Sequence, residues 1–382
     1  MRYCKKCVMP DTRPNIKFND DGICSPCKNH ERKKHINWGA RWKELKELVD
    51  KYRGSNGDYY DCIITASGGK DSHFQTHIFK EKLGMNPLLV SVDNFTWTET
   101  GRMNWNNIRS EFGVDAHMIS LNPKVCKNLF RKAFFKLGSP TWYFDKAIYA
   151  YPLQIAIKLG IPLIIYGENT NYERGGSVNT DNPSALEQIN NDVVKPVPWK
   201  DFLDDEISMK DVQPAVYPSK TDIEKANLNP IFLSYYVPWS SYDNYIFAKS
   251  RGFKTLEDTG EWIREGFMQQ YDQIDTIGYA THTWLKFIKF GHWVNTDYLS
   301  TYIREGRISR EEAVKYVMEN EFKLDKKMLN DFLEFTDISE KEFWQTVDKF
   351  ANRDIVEKRN GVWRLRKNVI EALVKGDEVK TE

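Results

Sequence analysis

Four short apolar runs, each followed by a segment of helical length, place the strongest constraint on how this 382-residue chain folds. The runs DCIITA, PLLVSVD, DAHMISL and IPLIIYG have the length and β-branched content of buried strands. Because a crossover long enough for a helix follows each run, they predict a parallel sheet flanked by helices, the α/β class. The segments predicted as helices are 72–82, 101–113, 123–137 and 145–159.

The rest of the chain differs in pattern on either side of this unit. Two S-x-x-E capping boxes, at Ser309 and Ser339, predict helices near the C-terminus. Residues 168–230 have a weak pattern with many polar residues and prolines, which is typical of long functional or mobile loops. The predicted division is a cysteine module (1–35), a helical linker (36–57), the α/β unit (58–235) and a mainly helical region for substrate or partner (236–382).

Charge and hydropathy exclude some classes of protein. The net charge is +1, so no global field attracts nucleic acid or an anionic membrane. The first residues lack the apolar segment of a signal peptide, and the longest apolar runs are only strand-sized. We therefore expect a cytoplasmic protein without membrane association, and nucleic acid is an improbable partner.

Two C-x-x-C pairs lie close to the N-terminus. Four thiolates from two such pairs suit a tetrahedral zinc ion, and so short a region needs a metal to fold. The pairs predict structural zinc, with an iron–sulfur cluster or a redox pair as the alternatives. The remaining cysteines, Cys62 and Cys126, are interpreted as small buried side chains. The predicted ligands are Cys4, Cys7, Cys24 and Cys27.

The stretch ASGGKDS follows the first predicted strand and opens a helix. It differs from a Walker loop, because Asp71 rather than Ser or Thr follows Lys70. Two glycines permit close backbone approach, and N–H groups at a helix start attract anions. Asp71 is predicted either to hold Mg²⁺ or to cap the helix. The candidate phosphate-binding residues are Ser67, Gly68, Gly69, Lys70, Asp71 and Ser72.

Polar residues also follow the second and fourth predicted strands. Asp93 and Asn94 end the second strand, and Gly167, Glu168 and Asn169 end the fourth. Because parallel strands end at one edge of a sheet, these residues are expected to meet the glycine loop in one crevice. Glu168 is a candidate for binding Mg²⁺ or orienting ammonia, and Asp93 has the alternative role of a turn cap.

Basic residues further along the chain are candidates for substrate contacts. Arg174 lies in the loop ERGGS, which is interpreted as a lid or substrate loop. Lys286 and Lys289 are three residues apart and share a predicted helix face. They indicate either a solvated basic face or a phosphate site.

The motif SGGKDS resembles the pyrophosphate loop of the PP-loop ATPases, the N-type ATP pyrophosphatases. The resemblance implies an adenine-nucleotide-hydrolase-like fold, ATP and Mg²⁺ as ligands, and cleavage of ATP between its α and β phosphates. Residues 67–72, with Asp93, Asn94 and Gly167, would then bind the nucleotide.

Over nearly the full length, the chain resembles the N-acetyl sugar amidotransferases of bacterial surface-polysaccharide biosynthesis, the WbpG/PseA group. The matching segments are RYCKKCVMPDTRP, GICSPC, ASGGKDS, SVDNFTWTETG, YGENTNYERGG, KFIKFGHW and IREGRISREEAV. The resemblance implies conversion of the acetamido group of a nucleotide-activated sugar into an acetamidino group. Lys70, Asp71 and Glu168 would be catalytic, and Asn169, Arg174, Lys286 and Lys289 would bind substrate.

The same resemblance implies a separate glutaminase, with a synthase-like subunit, as the source of ammonia. Neither remaining cysteine lies in a nucleophile motif that would suit a glutaminase in this chain. One rival interpretation is a PP-loop tRNA sulfur transferase, although Cys62 and Cys126 lack a paired motif. Another is a zinc-stabilised binding module without catalytic activity, which the intact loop disfavours.

Overall fold

Five parallel strands form the central sheet, in the order β3-β2-β1-β4-β5. The computed structural model describes residues 1–93, 95–176, 181–186 and 197–376. The first strand lies at the centre, where Ile64 is in register with Leu89 on one side and Ile165 on the other. The strands are β1 (Cys62–Thr65), β2 (Pro87–Asp93), β3 (Asp115–Ser120), β4 (Leu163–Tyr166) and β5 (Asn229–Phe232).

Helices pack on both faces of this sheet. Ile63 of the central strand belongs to one buried cluster with Ala147 and Phe130, whereas Ile64 belongs to another with Phe79 and Ile108. Burial on both faces explains why β1, β2 and β4 are almost entirely apolar. The helices of this part are α1 (Ser25–Lys33), α2 (Trp38–Asp50), α3 (Lys70–Thr76, continued by a π-helical turn, His77–Lys82), α4 (Glu99–Phe112), α5 (Pro123–Leu137), α6 (Trp142–Leu159), α7 (Thr170–Arg174) and α8 (Lys220–Lys225).

The C-terminal region is mainly helical and has its own apolar core. Trp284, Trp293 and Phe343 are buried in one cluster. Both predicted capping boxes are confirmed, at Ser309 and Ser339. The helices are α9 (Ser241–Ser250), α10 (Leu256–Thr259), α11 (Thr281–Phe290), α12 (Val294–Arg304), α13 (Arg310–Asn320), α14 (Lys326–Thr336), α15 (Glu340–Phe350) and α16 (Lys367–Lys375). None of the helices in the described ranges has the length and apolar character needed to cross a bilayer.

Helix starts differ most from the sequence prediction. The helix after the glycine loop begins at Lys70 rather than at residue 72, because Gly69 is its extended N-cap residue. Helix α4 begins at Glu99 rather than 101, since the Thr98 side chain accepts a hydrogen bond from Gly101 N–H. Helix α6 begins at Trp142 rather than 145. In each case the first turn contains polar or aromatic residues, so the apolar pattern used for the prediction begins later than the helix does.

Two strand regions were missed by the sequence prediction. β5 contains Pro230, which a strand accepts at the edge of a sheet, and it lies in the segment interpreted as loop. A hairpin, β6 (Val356–Arg359) and β7 (Val362–Leu365), interrupts the helices of the C-terminal region. Its turn is Asn360-Gly361, and both residues have positive φ, as a type I′ turn requires.

Substitution of Gly101 by Ala is expected to destabilise the fold by about 1–3 kcal/mol, because overpacking outweighs the helical preference for Ala. A Cβ added to Gly101 would lie 2.5 Å from the Cα of Asp275, which belongs to a segment crossing over α4. Urea unfolding measures the change. The matched control is Gly39→Ala in α2, where only the Asn37 side-chain oxygen lies near, at 3.3 Å. Equal stability of both variants would contradict the close packing at Gly101.

Candidate functional site

A cleft with a volume of about 350 Å³ opens at the carboxyl edge of the sheet. It lies beside β1, where the strand order changes direction between β2 and β4, the position at which open α/β sheets bind ligands. The cleft is lined by the glycine loop (67–72), the ends of β2 and β4, one side of α6, and residues 271–276, here called the acidic strap. Strand ends and strap therefore meet around one space.

The glycine loop has a conformation that depends on Gly68. This residue has φ +81°, and an added Cβ would lie 2.9 Å from the Cα of Trp105. Ser67 N–H donates to Ser72 Oγ at 3.1 Å, and Gly69 N–H donates to Ser67 Oγ at 3.3 Å. The first-turn N–H groups of α3 have no acceptors within the helix, and they carry the positive end of its dipole. This geometry is compatible with an anion at the loop, and binding of phosphate there stays a prediction from the sequence.

Lys70 is fully buried between two carboxylates. Its Nζ lies 2.6 Å from Asp71 Oδ2 and 3.1 Å from Asp272 Oδ1. Burial opposes the charged form, but the attraction of Asp272 and Asp71 outweighs it and raises the pKa of Lys70. The ammonium is therefore permanently charged, and it ties the glycine loop to the acidic strap.

Asp71 has a second partner besides Lys70. Asn244 of α9 donates from Nδ2 to Asp71 Oδ1 at 2.8 Å. Asp71 does not cap the helix, since its carboxylate is held by these two side chains and is partly open to the cleft. A carboxylate held in this way still has lone pairs that could bind a hard cation such as Mg²⁺.

Glu168 and Arg174 form an ion pair at the far side of the cleft. Arg174 Nη2 lies 3.1 Å from Glu168 Oε1. Burial raises the pKa of Glu168, although the charge of Arg174 opposes the shift. The Glu168 carboxyl is therefore easier to protonate than one in water, which suits a group that exchanges a proton with substrate.

The acidic strap supplies two carboxyl groups that sequence reasoning missed. Asp272 accepts a hydrogen bond from the Tyr298 hydroxyl, and Lys70 and Arg174 lower its pKa against the effect of burial. Burial and repulsion from Asp272 raise the pKa of Asp275 to about 6. The only signal in the sequence was two aspartates in the polar run QQYDQIDT.

The other predicted residues have local structural roles or lie elsewhere. Asp93 accepts hydrogen bonds from Phe95 N–H, the Trp97 indole and the Ser120 hydroxyl, so it caps the turn after β2. Asn94 lies outside the described residues. Asn169 caps α7, with its Oδ1 accepting from Tyr172 N–H at 3.1 Å.

The two predicted lysines are not brought to this cleft. Lys289 donates to the carbonyl of Gly138 at 2.8 Å, at the end of α5. Lys286 retains contact with solvent, but it lies within the fold, where burial lowers its pKa against the attraction of Asp297. It is not among the residues that line the cleft. Of the loop and strand-end residues, Gly167 and Glu168 do line it, as expected.

The four N-terminal cysteines form a compact buried cluster. Cys4 Sγ lies 3.9 Å from Cys27 Sγ, and Cys7 Sγ lies 3.7 Å from Cys24 Sγ. All four sulfurs lie within 4.8 Å of one another. Zinc–sulfur bonds of about 2.3 Å in a tetrahedron place sulfurs about 3.8 Å apart, so the cluster fits a zinc ion. The four thiolates would hold zinc in a closed structural site.

The purified protein is expected to contain about one zinc per chain, and Cys24→Ser is expected to lose most of it, because a closed structural site needs all four ligands. Metal analysis of the purified variants measures this. Cys126→Ser is the matched control, since Cys126 is also buried but lies on α5. Full zinc content in Cys24→Ser, or none in the wild-type protein, would contradict the assignment.

The raised pKa of Asp275 predicts a pH-dependent effect of Asp275→Asn. The folded-state pKa of about 6 lies above the ordinary value of 3.8, so wild-type stability falls as pH rises from about 4 to 6. The variant lacks this loss and is expected to be more stable than wild type by up to about 3 kcal/mol at pH 8. Urea unfolding at pH 4 and pH 8 measures the difference. If the stability difference between wild type and variant is the same at pH 4 and pH 8, the raised pKa of Asp275 is contradicted.

Comparison with known proteins gives two matches. Residues 265–369 match the family model described as LPS biosynthesis protein WbpG-like, C-terminal domain. A protein of Methanocaldococcus jannaschii, described only as uncharacterised, is 29% identical over 165 residues. That alignment covers 43% of this chain and 58% of the relative. The chain thus spans somewhat more than half of that relative's length.

The WbpG-like match includes the acidic strap, because residues 271–276 lie inside the matched range. The matched segment therefore supplies part of the lining of the cleft, together with the helices that pack behind it. The match supports a relationship of the C-terminal region to the WbpG-like family.

Proposed function

We propose that this protein is an ATP-dependent amidotransferase of the PP-loop type, acting on a nucleotide-activated N-acetyl sugar in bacterial surface-polysaccharide biosynthesis. The observation that carries the proposal is the position of the S-G-G-K-D-S loop. It opens at the carboxyl end of β1 onto the same cleft that the WbpG-like segment lines. One space thus joins the loop that we propose to bind phosphate with a segment matched to a family model for polysaccharide biosynthesis.

The proposed reaction replaces the oxygen of the acetamido group by nitrogen. The amide oxygen attacks the α-phosphorus of ATP, and pyrophosphate leaves. Ammonia then adds to the amide carbon, and the carbon–oxygen bond breaks to release AMP. The product is an acetamidino group, and the original amide oxygen leaves with AMP. Such a reaction depends mainly on positioning and charge stabilisation by the protein.

The residues of the cleft suit the steps of this reaction. The glycine loop and Lys70 would hold the leaving pyrophosphate and stabilise the charge that develops on it. In the proposed reaction Glu168 and Asp275, whose pKa values are raised, would accept a proton when ammonia adds. The Arg174 guanidinium would keep Glu168 oriented.

Two properties of the cleft support Mg-ATP as the proposed ligand. Its volume of about 350 Å³ lies in the range of small-molecule sites. Asp71, Glu168 and Asp272 supply the carboxylate oxygens that Mg²⁺ prefers. A bound Mg²⁺ would neutralise phosphate charge beside these carboxylates.

The sulfur-transferase alternative gains no support from the cysteines. Cys62 and Cys126 are fully buried, and burial raises the pKa of both thiols. No cysteine lies among the described residues that line the cleft. A buried, protonated thiol is a poor nucleophile. The sugar amide is therefore the preferred substrate, with ammonia supplied by a separate glutaminase.

The test measures AMP release and sugar mass with Mg-ATP and a panel of nucleotide-linked N-acetyl sugars. With ammonium, AMP is expected together with a product about 1 Da lighter, the mass change for O replaced by NH. With glutamine alone, no product is expected, because the glutaminase is a separate protein. Release of AMP without a modified sugar would contradict the assignment of these sugars as substrates. If zinc-loaded protein releases no AMP, the proposal that it is an AMP-forming enzyme is wrong.

The matched variants are Asp71→Asn and Asp115→Asn. The first keeps the shape of the side chain but removes the charge proposed for Mg²⁺, so AMP formation is expected to fall roughly 100-fold. Asp115 lies at the start of β3, where it accepts a hydrogen bond from the Tyr60 hydroxyl. Its variant is expected to retain wild-type activity. Equal activity of both variants would remove Asp71 from the mechanism.

A further inference from the structure

One side of the cleft is formed by aromatic side chains. They come from α6, from the ends of β4 and β5, and from the turn after the acidic strap. Their apolar neighbours belong to the cluster that contains Ile63, on the face of the sheet opposite to the one that α3 covers. This surface, here called the aromatic wall, consists of Phe144, Tyr149, Tyr166, Phe232 and Tyr279.

The aromatic wall is held in place by contacts among its own members. The rings of Tyr149 and Tyr166 stack with their centroids 6.0 Å apart and their planes at 18°. The Tyr166 hydroxyl donates to the Tyr149 carbonyl at 3.2 Å. Phe144 meets Tyr279 edge-on at 5.3 Å, and the Tyr279 hydroxyl donates to Asp145 Oδ1 at 2.6 Å. Because these rings are already ordered, a ligand that binds against them loses little affinity to their ordering.

Tyr149 differs from the other two tyrosines of the wall in its hydroxyl. The hydroxyls of Tyr166 and Tyr279 are both engaged as donors. The Tyr149 hydroxyl has no hydrogen-bond partner in the part of the chain that the structure describes, and it is not sealed from water. Since Tyr149 lines the cleft and is partly exposed, this hydroxyl is open to a ligand there.

The hydroxyl of Tyr149 stays neutral beside charged groups. Burial raises its pKa, and the charges of Asp145 and Glu168 raise it further, whereas the charge of Arg174 opposes the shift. Tyr149 is thus near enough to the ion pair of Glu168 and Arg174 for both charges to act on it. A neutral hydroxyl can both donate and accept a hydrogen bond.

These properties select an uncharged ligand group of mixed character. The five side chains of the wall include no cation that could balance a phosphate. Aromatic rings suit an apolar part, and the single free hydroxyl suits one polar contact. An acetamido group has both, a methyl and an amide. In the proposed reaction the amide oxygen must remain free to attack phosphorus, so the hydroxyl would accept from the amide N–H.

We infer that the aromatic wall binds the acetamido group of the sugar nucleotide, with the Tyr149 hydroxyl accepting a hydrogen bond from the amide N–H. This inference rests on the proposed function, because it places the reacting group of the substrate of that reaction. It puts the amide carbon near Glu168, where ammonia is proposed to lose a proton. The rings would also keep water from the adenylated amide, which water would convert back to the acetamide.

The test is a calorimetric titration of the full-length, zinc-loaded protein with Mg-ATP and with four sugar nucleotides. Three of them carry an acetamido group (UDP-N-acetylglucosamine, UDP-N-acetylgalactosamine and CMP-N-acetylneuraminate), and UDP-glucose lacks it. Tyr149→Phe keeps the ring and removes only the hydroxyl. It is expected to weaken binding of the acetamido sugars roughly tenfold, because the amide N–H is left without an acceptor. Binding of Mg-ATP and of UDP-glucose is expected to stay unchanged.

Tyr143→Phe is the matched control on the same helix. Tyr143 is not among the described residues that line the cleft, and its hydroxyl donates to the Asp211 carbonyl at 3.2 Å. This variant is expected to lose thermal stability and to bind every ligand like the wild-type protein. Tyr149→Phe is expected to keep wild-type thermal stability, because its hydroxyl makes no hydrogen bond within the described residues. A purely structural role of Tyr149 would lower stability instead.

The outcomes separate this inference from the proposed reaction. Equal affinity of wild type and Tyr149→Phe for the acetamido sugars would overturn the inference, even if amidine synthesis is observed. A loss that falls on Mg-ATP would also overturn it, because the wall would then hold the adenine. The same holds if no acetamido sugar binds the wild-type protein. If binding depends on Tyr149 but no AMP forms with any sugar, the acetamido site stands and the proposed reaction fails.

Discussion

The buried ammonium of Lys70 joins the two parts of the chain that form the cleft. A charge without water is stable only when it is paired, and the partners of Lys70 come from both sides, Asp71 from the glycine loop and Asp272 from the acidic strap. The charge of Arg174 also lowers the pKa of Asp272, and Arg174 in turn pairs with Glu168 at the end of β4. Removal of any one member would leave a partner unpaired, so the loop, strap and strand end hold one another in place.

The cysteine module is attached to the same charged network. Arg13 Nη1 lies 2.5 Å from Asp297 on α12, and Lys33 pairs with Glu173 on α7. Asn29 Nδ2 also donates to the Tyr172 carbonyl at 2.9 Å. A module that folds around zinc would therefore fix the position of α1 against α7. In this way a structural metal, distant from the glycine loop, would contribute to the position of Arg174, which pairs with Glu168.

Sequence reasoning succeeded where structure is set locally. β1 and β2 were predicted from short apolar runs, and the glycine loop from a motif of six residues. Glu168 was expected near the loop because parallel strands end at the same edge of a sheet, and it does line the same cleft. Asp272 and Asp275 had no such signal, because the strap is irregular and meets the loop only through tertiary packing. The missed hairpin is different, since Asn-Gly between two apolar pairs was a readable turn signal within a region interpreted as helical.

The charges of the cleft bear on the form in which a nucleotide could enter it. The carboxylates of Asp71, Asp272 and Asp275 lie beside one buried lysine, so a triphosphate is favourable there only with a divalent cation. Because Lys70 is already paired with Asp71 and Asp272, its charge alone does not offset that of three phosphates. In the proposed reaction the metal would thus be needed for the binding of ATP as well as for the release of pyrophosphate.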